Sequence, residues 1–186
     1  CVSGNKMSNY RHEYSEEACA AARVIREAFP AVEFTIFELV QLNEFVNHQL
    51  AHNVLFLSVE DDIIDFVFDL LKEQFPGKVL LDPTPELYHQ YWYDGMIVLN
   101  KLVTEAPRGN EEAWHTRLEK MLVDLVSDPL LQEVISKSEY PAIFEGAFSG
   151  YVIDESCLFR YAKRRAAEKR LRALIREKTN ITLRTE

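Results

Sequence analysis

The run Asn53-Val-Leu-Phe-Leu-Ser-Val59 constrains the fold more than any other segment. It is apolar at nearly every position, the pattern of a strand covered on both faces. Such a strand needs neighbours beside it and helices above and below it. Val32-Glu-Phe-Thr-Ile-Phe37 alternates and is rich in β-branched and aromatic residues, so it reads as a second strand. Lys78–Leu81 and Met96–Leu99 read as two more, with Leu102-Val103 continuing the last.

Helical periods fill the intervals. Ser15-Glu16-Glu17 supplies a capping hydroxyl and first-turn acids, and Ala18, Ala21, Ala22, Ile25 and Phe29 then recur at helical spacing up to Pro30. Leu39–Leu50 keeps a helical period through Leu42, Phe45 and Val46. Asp61-Asp62 opens a helix with Ile63, Phe66, Val67, Leu70 and Leu71 on its buried face; a short one covers Glu86–Trp92. Trp114–Val126 is amphipathic through Leu118, Met121, Leu122 and Leu125. After Asp128-Pro129 the chain turns helical over Leu130–Ser136, Pro141–Phe148 and Asp154–Lys178. The expected fold is α/β, a mostly parallel or mixed sheet of about four strands covered by helices, with a helical C-terminal extension. Residues 15–178 form one domain, 179–186 a tail, and 1–14 a linker or the remnant of a preceding domain.

Charge is unevenly placed. From Asp154 to Lys178 nine Lys or Arg face four acids, a local net of +5 that leaves -14 for the rest of a chain whose net charge is -9. The final helix carries apolar stripes of Leu158, Tyr161, Ala162 and Ala166, then Leu171, Leu174 and Ile175. Its cations Arg160, Lys163, Arg164, Arg165, Lys169 and Arg170 are candidates for phosphate contact. A basic helix docked on an acidic body is the competing reading. No apolar run approaches the ~20 residues that span a bilayer. The three widely spaced cysteines form no disulfide or zinc pattern, so a cytoplasmic protein is expected, with no membrane partner.

Catalytic signals are thin. His48 and His52 lie four apart, a spacing that can place two ligands on one helix face, but Gln49 and Leu50 break the HExxH pattern and the helix ends near Ala51. Glu60, Asp61, Asp62 and Asp65 cluster at a strand end, where they either bind a divalent metal or favour a helix N-terminus. Glu33 and Glu38 lie on the first strand and its end, but no strand carries acid-x-Lys. Lys120 and Asp124 are spaced for a salt bridge worth a few tenths of a kcal/mol. No Gly-rich phosphate loop or nucleophile elbow is present, and no cofactor, metal or catalytic residue is assigned.

Four strings stand out as a set: Leu42-Asn-Glu-Phe45 with His48-Gln49, Lys101-Leu-Val-Thr-Glu-Ala-Pro107, Leu118-Glu-Lys-Met-Leu-Val-Asp124, and Leu158-Phe-Arg-Tyr-Ala-Lys-Arg-Arg165. In this order, over about Tyr14–Leu174, the chain resembles proteins related to the AbiEi antitoxins of type IV toxin–antitoxin systems. The resemblance implies the C-terminal domain of a transcriptional regulator, following a winged helix that reads DNA, with Cys1–Lys6 as the end of the wing or linker. It also implies a nucleotidyltransferase-type toxin as functional partner and DNA contact through the full-length protein. The candidate pocket on these strings comprises Glu44, His48, Lys101, Glu105, Arg117, Glu119 and Asp124. Two alternatives stay open: a nucleotidyltransferase-like or nuclease-like enzyme using Glu60, Asp61 and Asp124, and a protein-interaction module, for instance in a homodimer.

Overall fold

The computed structural model describes residues 7–185. Its strands are β1 (Phe34–Glu38), β2 (Val54–Val59), β3 (Val79–Leu81) and β4 (Met96–Lys101), arranged β1-β2-β4-β3. β2, β4 and β3 are mutually parallel, and β1 closes one edge antiparallel to β2. The fold is therefore α/β with a mixed sheet. β2 and β4 are central, and the two-residue alternation of a strand sends Leu55, Leu57, Ile97 and Leu99 to one face and Val54, Phe56, Met96 and Val98 to the other.

Helices α1 (Glu16–Ala28) and α2 (Ile64–Gln74) cover the first face. The second carries a cap built from α3 (Pro85–Tyr91), α4 (Leu118–Ser127), α5 (Pro129–Val134), α6 (Tyr140–Gly150), α7 (Glu155–Arg164) and α8 (Glu168–Lys178). Side-chain caps fix several helix starts. Ser15 accepts from Ala18 N, Asp128 from Leu130 N and Leu131 N, and Asp154 from Cys157 N. Residues 7–14 and the tail lie on this body, with Tyr10, Ile181 and Leu183 packed against the cap's core. The reading of Cys1–Lys6 falls outside the described residues.

Four local expectations are corrected. Leu39–Leu50 is not an α-helix but a 3-10 segment over Leu39–Glu44, opened by a box in which Glu38 N donates to Gln41 Oε1 at 2.8 Å. The helix expected from Trp114 begins at Leu118. Residues 114–116 instead run beside β1: Ile36 N donates to Trp114 O at 2.9 Å and Thr116 Oγ1 to Ile36 O at 2.7 Å, which covers an edge that would otherwise offer unpaired groups. β4 ends at Lys101, so Leu102-Val103 belongs to the following loop.

The single helix over Asp154–Lys178 is two helices. Ala166 sits in the left-handed region at φ 53°, with Ala166 N bonded to Lys163 O and Ala167 N to Ala162 O. This pair of bonds is the Schellman stop, and the apolar contact that accompanies it comes from fully buried Ala162 and Ala167. Ala166 consequently leaves the expected apolar stripe and is exposed.

Candidate functional site

The Schellman stop turns the basic segment into a corner. Arg160, Lys163 and Arg164 occupy the second half of α7, and Lys169 and Arg170 the first turn of α8. All five are exposed. Arg160, Lys163, Lys169 and Arg170 form no ion pair among the described residues. Arg164 donates through Nε to Thr104 Oγ1 at 2.9 Å, tying the corner to the loop after β4. Arg165 differs. It is half-buried, donates to Ser127 Oγ at 3.0 Å and lies 3.8 Å from Asp124. Arg172 is also engaged, pairing with Glu168 and stacking 3.7 Å over the Phe159 ring.

Asp124 is a structural node. It accepts from Lys120 Nζ at 2.6 Å and from the Tyr161 hydroxyl at 2.8 Å. The expected Lys120–Asp124 salt bridge is present, and with Lys120 5% exposed it is a buried one. Burial, then the neighbouring Asp124 charge, pushes the Tyr161 hydroxyl well above its usual range. Burial and Asp124 likewise raise Asp128.

The remaining pocket candidates fall into separate places. Arg117 and Glu119 pair at 3.0 Å on the wall of a small cavity of about 110 Å³, where Glu119 also accepts from Asp154 N. Glu44 accepts from the Tyr151 hydroxyl at 2.6 Å, and His48 meets Glu139 at 2.7 Å. His52 lies beside Trp92, ring centroids 5.2 Å apart and planes tilted by 58°, and residues 48–52 are in no helix, so His48 and His52 do not share a helix face. Among the described residues no three His, Cys, Asp or Glu side chains converge as metal ligands would.

A node absent from the sequence reading borders the same small cavity. Glu38, fully buried at the end of β1, accepts from His12 Nε2 at 2.6 Å, from Ser15 N and Oγ, and from Asn53 Nδ2 at 3.2 Å. Burial raises its carboxyl, but the donors outweigh it and hold the group below the ordinary value. The available signal was a carboxylate directly after the apolar pair Ile36-Phe37.

A larger crevice, about 860 Å³, opens at the carboxyl ends of β2 and β4. Glu33, Thr35, Glu60, Asp62 and Glu105 line it, and Lys101 pairs with Asp61 at 2.8 Å on its rim. Glu60 and Asp61 thus belong to this crevice, whereas Asp124 is held in the cap by Lys120 and Tyr161.

The chain belongs to the DUF6577 family. That family is described as one of unknown function, and its model matches residues 2–181. No curated protein and no solved structure matches the chain. The DUF6577 match therefore spans the sheet, the cap and the basic corner together. Among the described residues of this DUF6577 chain no helix is long and apolar enough to cross a membrane.

Proposed function

We propose that this DUF6577 chain is a non-catalytic module of an antitoxin-like transcriptional regulator. In this reading the α7–α8 corner adds phosphate contacts when the protein sits on DNA, and the functional counterpart is a nucleotidyltransferase-type toxin. One observation carries it: four exposed cations, Arg160, Lys163, Lys169 and Arg170, stand without ion pairs among the described residues on a chain of net charge -9. Sequence-independent DNA binding needs such a set, because each neutralised phosphate releases counterions.

The test is a duplex DNA shift measured from 50 to 200 mM salt. Four phosphate contacts predict a slope of log affinity against log salt of roughly -3 to -4. Reversing Lys163, Lys169 and Arg170 to Glu should remove about three quarters of it, at ~0.9 per contact. Arg165 is left intact, since its contacts to Ser127 and Asp124 are structural. An unchanged slope, or no binding at the lowest salt, rejects the reading.

A second reading, a protein-interaction module, is favoured by a different surface. Leu87, Tyr91, Trp92 and Tyr93 are 45%, 53%, 38% and 38% exposed on α3 and just beyond it. Tyr and Trp are the side chains most enriched at the energetic centres of interfaces.

A further inference from the structure

The crevice at the strand ends lies where α/β sheets place ligands. β2 and β4 are adjacent and parallel, yet the chain leaving β2 enters α2 on one face, while the chain leaving β4 reaches α4 on the other. Connections that diverge from neighbouring strands open a gap beyond their carboxyl ends. Here the gap is the crevice, closed on one side by the start of antiparallel β1.

Its lining contains a hydroxyl that the fold leaves unused. Thr35 is 4% exposed, yet its side chain makes no hydrogen bond among the described residues. Among the described residues no fully buried side-chain polar atom lacks a partner, so this hydroxyl is one that opens onto the crevice. It also begins a polar row. Strand register sets Thr35 opposite Ser58, and Ser58 opposite Asn100, on the sheet face that elsewhere carries Phe37, Phe56 and Val98. Polar residues in an otherwise apolar row cost stability unless they meet a partner or water.

The charge of the lining selects the ligand. Glu33 is neutralised by Arg108, and Asp61 by Lys101. Glu60, Asp62 and Glu105 have no ion pair among the described residues. Glu105 is held at φ 65°, a conformation costly for a residue with a β-carbon. Val32, Leu102, Val103 and Ala106 supply apolar wall between these acceptors. Three unpaired carboxylates and a hydroxyl, separated by aliphatic surface, match ammonium groups separated by methylenes.

From this arrangement we infer that the crevice binds an alkyl polyamine, its ammonium groups on Glu60, Asp62 and Glu105, one of them also donating to Thr35, and its methylenes against Leu102 and Val103. The inference is independent of the DNA reading, which rests on the opposite charge at the α7–α8 corner.

Calorimetric titration of the whole chain with spermidine tests it. One saturable site is expected. Thr35→Val should weaken it about five-fold, the equivalent of one hydrogen bond, and Thr35→Ser should restore it. The pair Glu60→Gln and Asp62→Asn should weaken it at least ten-fold, whereas Glu73→Gln on the exposed face of α2 should leave it unchanged. Thermal melting of each variant separates lost binding from lost folding. Binding that Glu73→Gln weakens as much as Glu60→Gln would reveal non-specific attraction to an acidic surface and overturn the proposal. So would the absence of saturable binding, or affinity insensitive to Thr35→Val in a folded variant.

Discussion

Replacing Glu38 by Gln tests whether the carboxylate at the end of β1 organises its surroundings. Gln keeps the shape and one acceptor oxygen, but its amide NH2 now faces donors. At the Oε1 position those donors are Ser15 Oγ and Asn53 Nδ2; at Oε2 they are His12 Nε2 and Ser15 N. His12 can answer by exchanging tautomer, while the Ser15 N–H cannot. Hydrogen bonds to a charged group contribute ~1.5–3 kcal/mol each, so losing the charge and one good contact should cost about 2–3 kcal/mol. Glu38→Ala strands all the donors and should cost roughly 3–5 kcal/mol. Urea unfolding at several pH values is the assay. The donors hold the folded-state carboxyl below its ordinary value of 4.5. As pH falls the unfolded chain is therefore protonated first, so the stabilisation is complete above that ordinary value and disappears as pH drops through the lowered one. The gap between wild type and Glu38→Gln should accordingly be full at neutral pH and close in acid. A Glu38→Gln chain within ~0.5 kcal/mol of wild type at pH 7 would refute the argument, because that is the range of an ordinary surface change.

Two further substitutions probe the backbone. Ala166→Gly should raise stability by about 1 kcal/mol in urea unfolding, because an exposed residue at φ 53° gains from losing its β-carbon. Gly109→Ala should cost at least ~2 kcal/mol by the same measurement, since a β-carbon there would lie 2.2 Å from Glu112 O and 2.7 Å from His115 O, and backbone cannot move aside cheaply.

What the sequence disclosed and what it withheld follow from range. β2 was legible because burial on both faces writes an apolar run into consecutive residues. The start of α1 was legible because Ser15 and the acids after it act within one turn. Leu39, Leu42 and Phe45 misled, since a spacing of three satisfies a 3-10 segment as well as an α-helix. Trp114 lies at helical spacing from Leu118, but Ile36, far away in the chain, claims its carbonyl. The break at Ala166 carried no glycine to announce it. The node at Glu38 joins residues 26 positions apart through His12, and no local period records such a contact. Thr35 and Ser58 were visible as polar residues inside strand signals, but only the register makes them neighbours. Of the candidate cations, Arg165 could not be told from Arg164 by sequence; Ser127 and Asp124 separate them.

Part of the chain's acidity has a structural use. Carboxylates here are spent on backbone N–H groups that no helix or strand satisfies. Glu119 takes Asp154 N, Glu139 takes Asn47 N, Glu145 takes Asn180 N, and Glu155 takes Arg184 N and Thr185 N. Each acceptor pins an irregular stretch of the cap, the C-terminal tail included, with charge-assisted bonds stronger than neutral ones. Glu145 and Glu155 do this with no ion pair among the described residues, so their charge adds to the chain's net negative balance. Arg160, Lys163, Lys169 and Arg170 have no ion pair among the described residues. A surface ion pair would add little to stability, so leaving these cations unpaired costs the fold little.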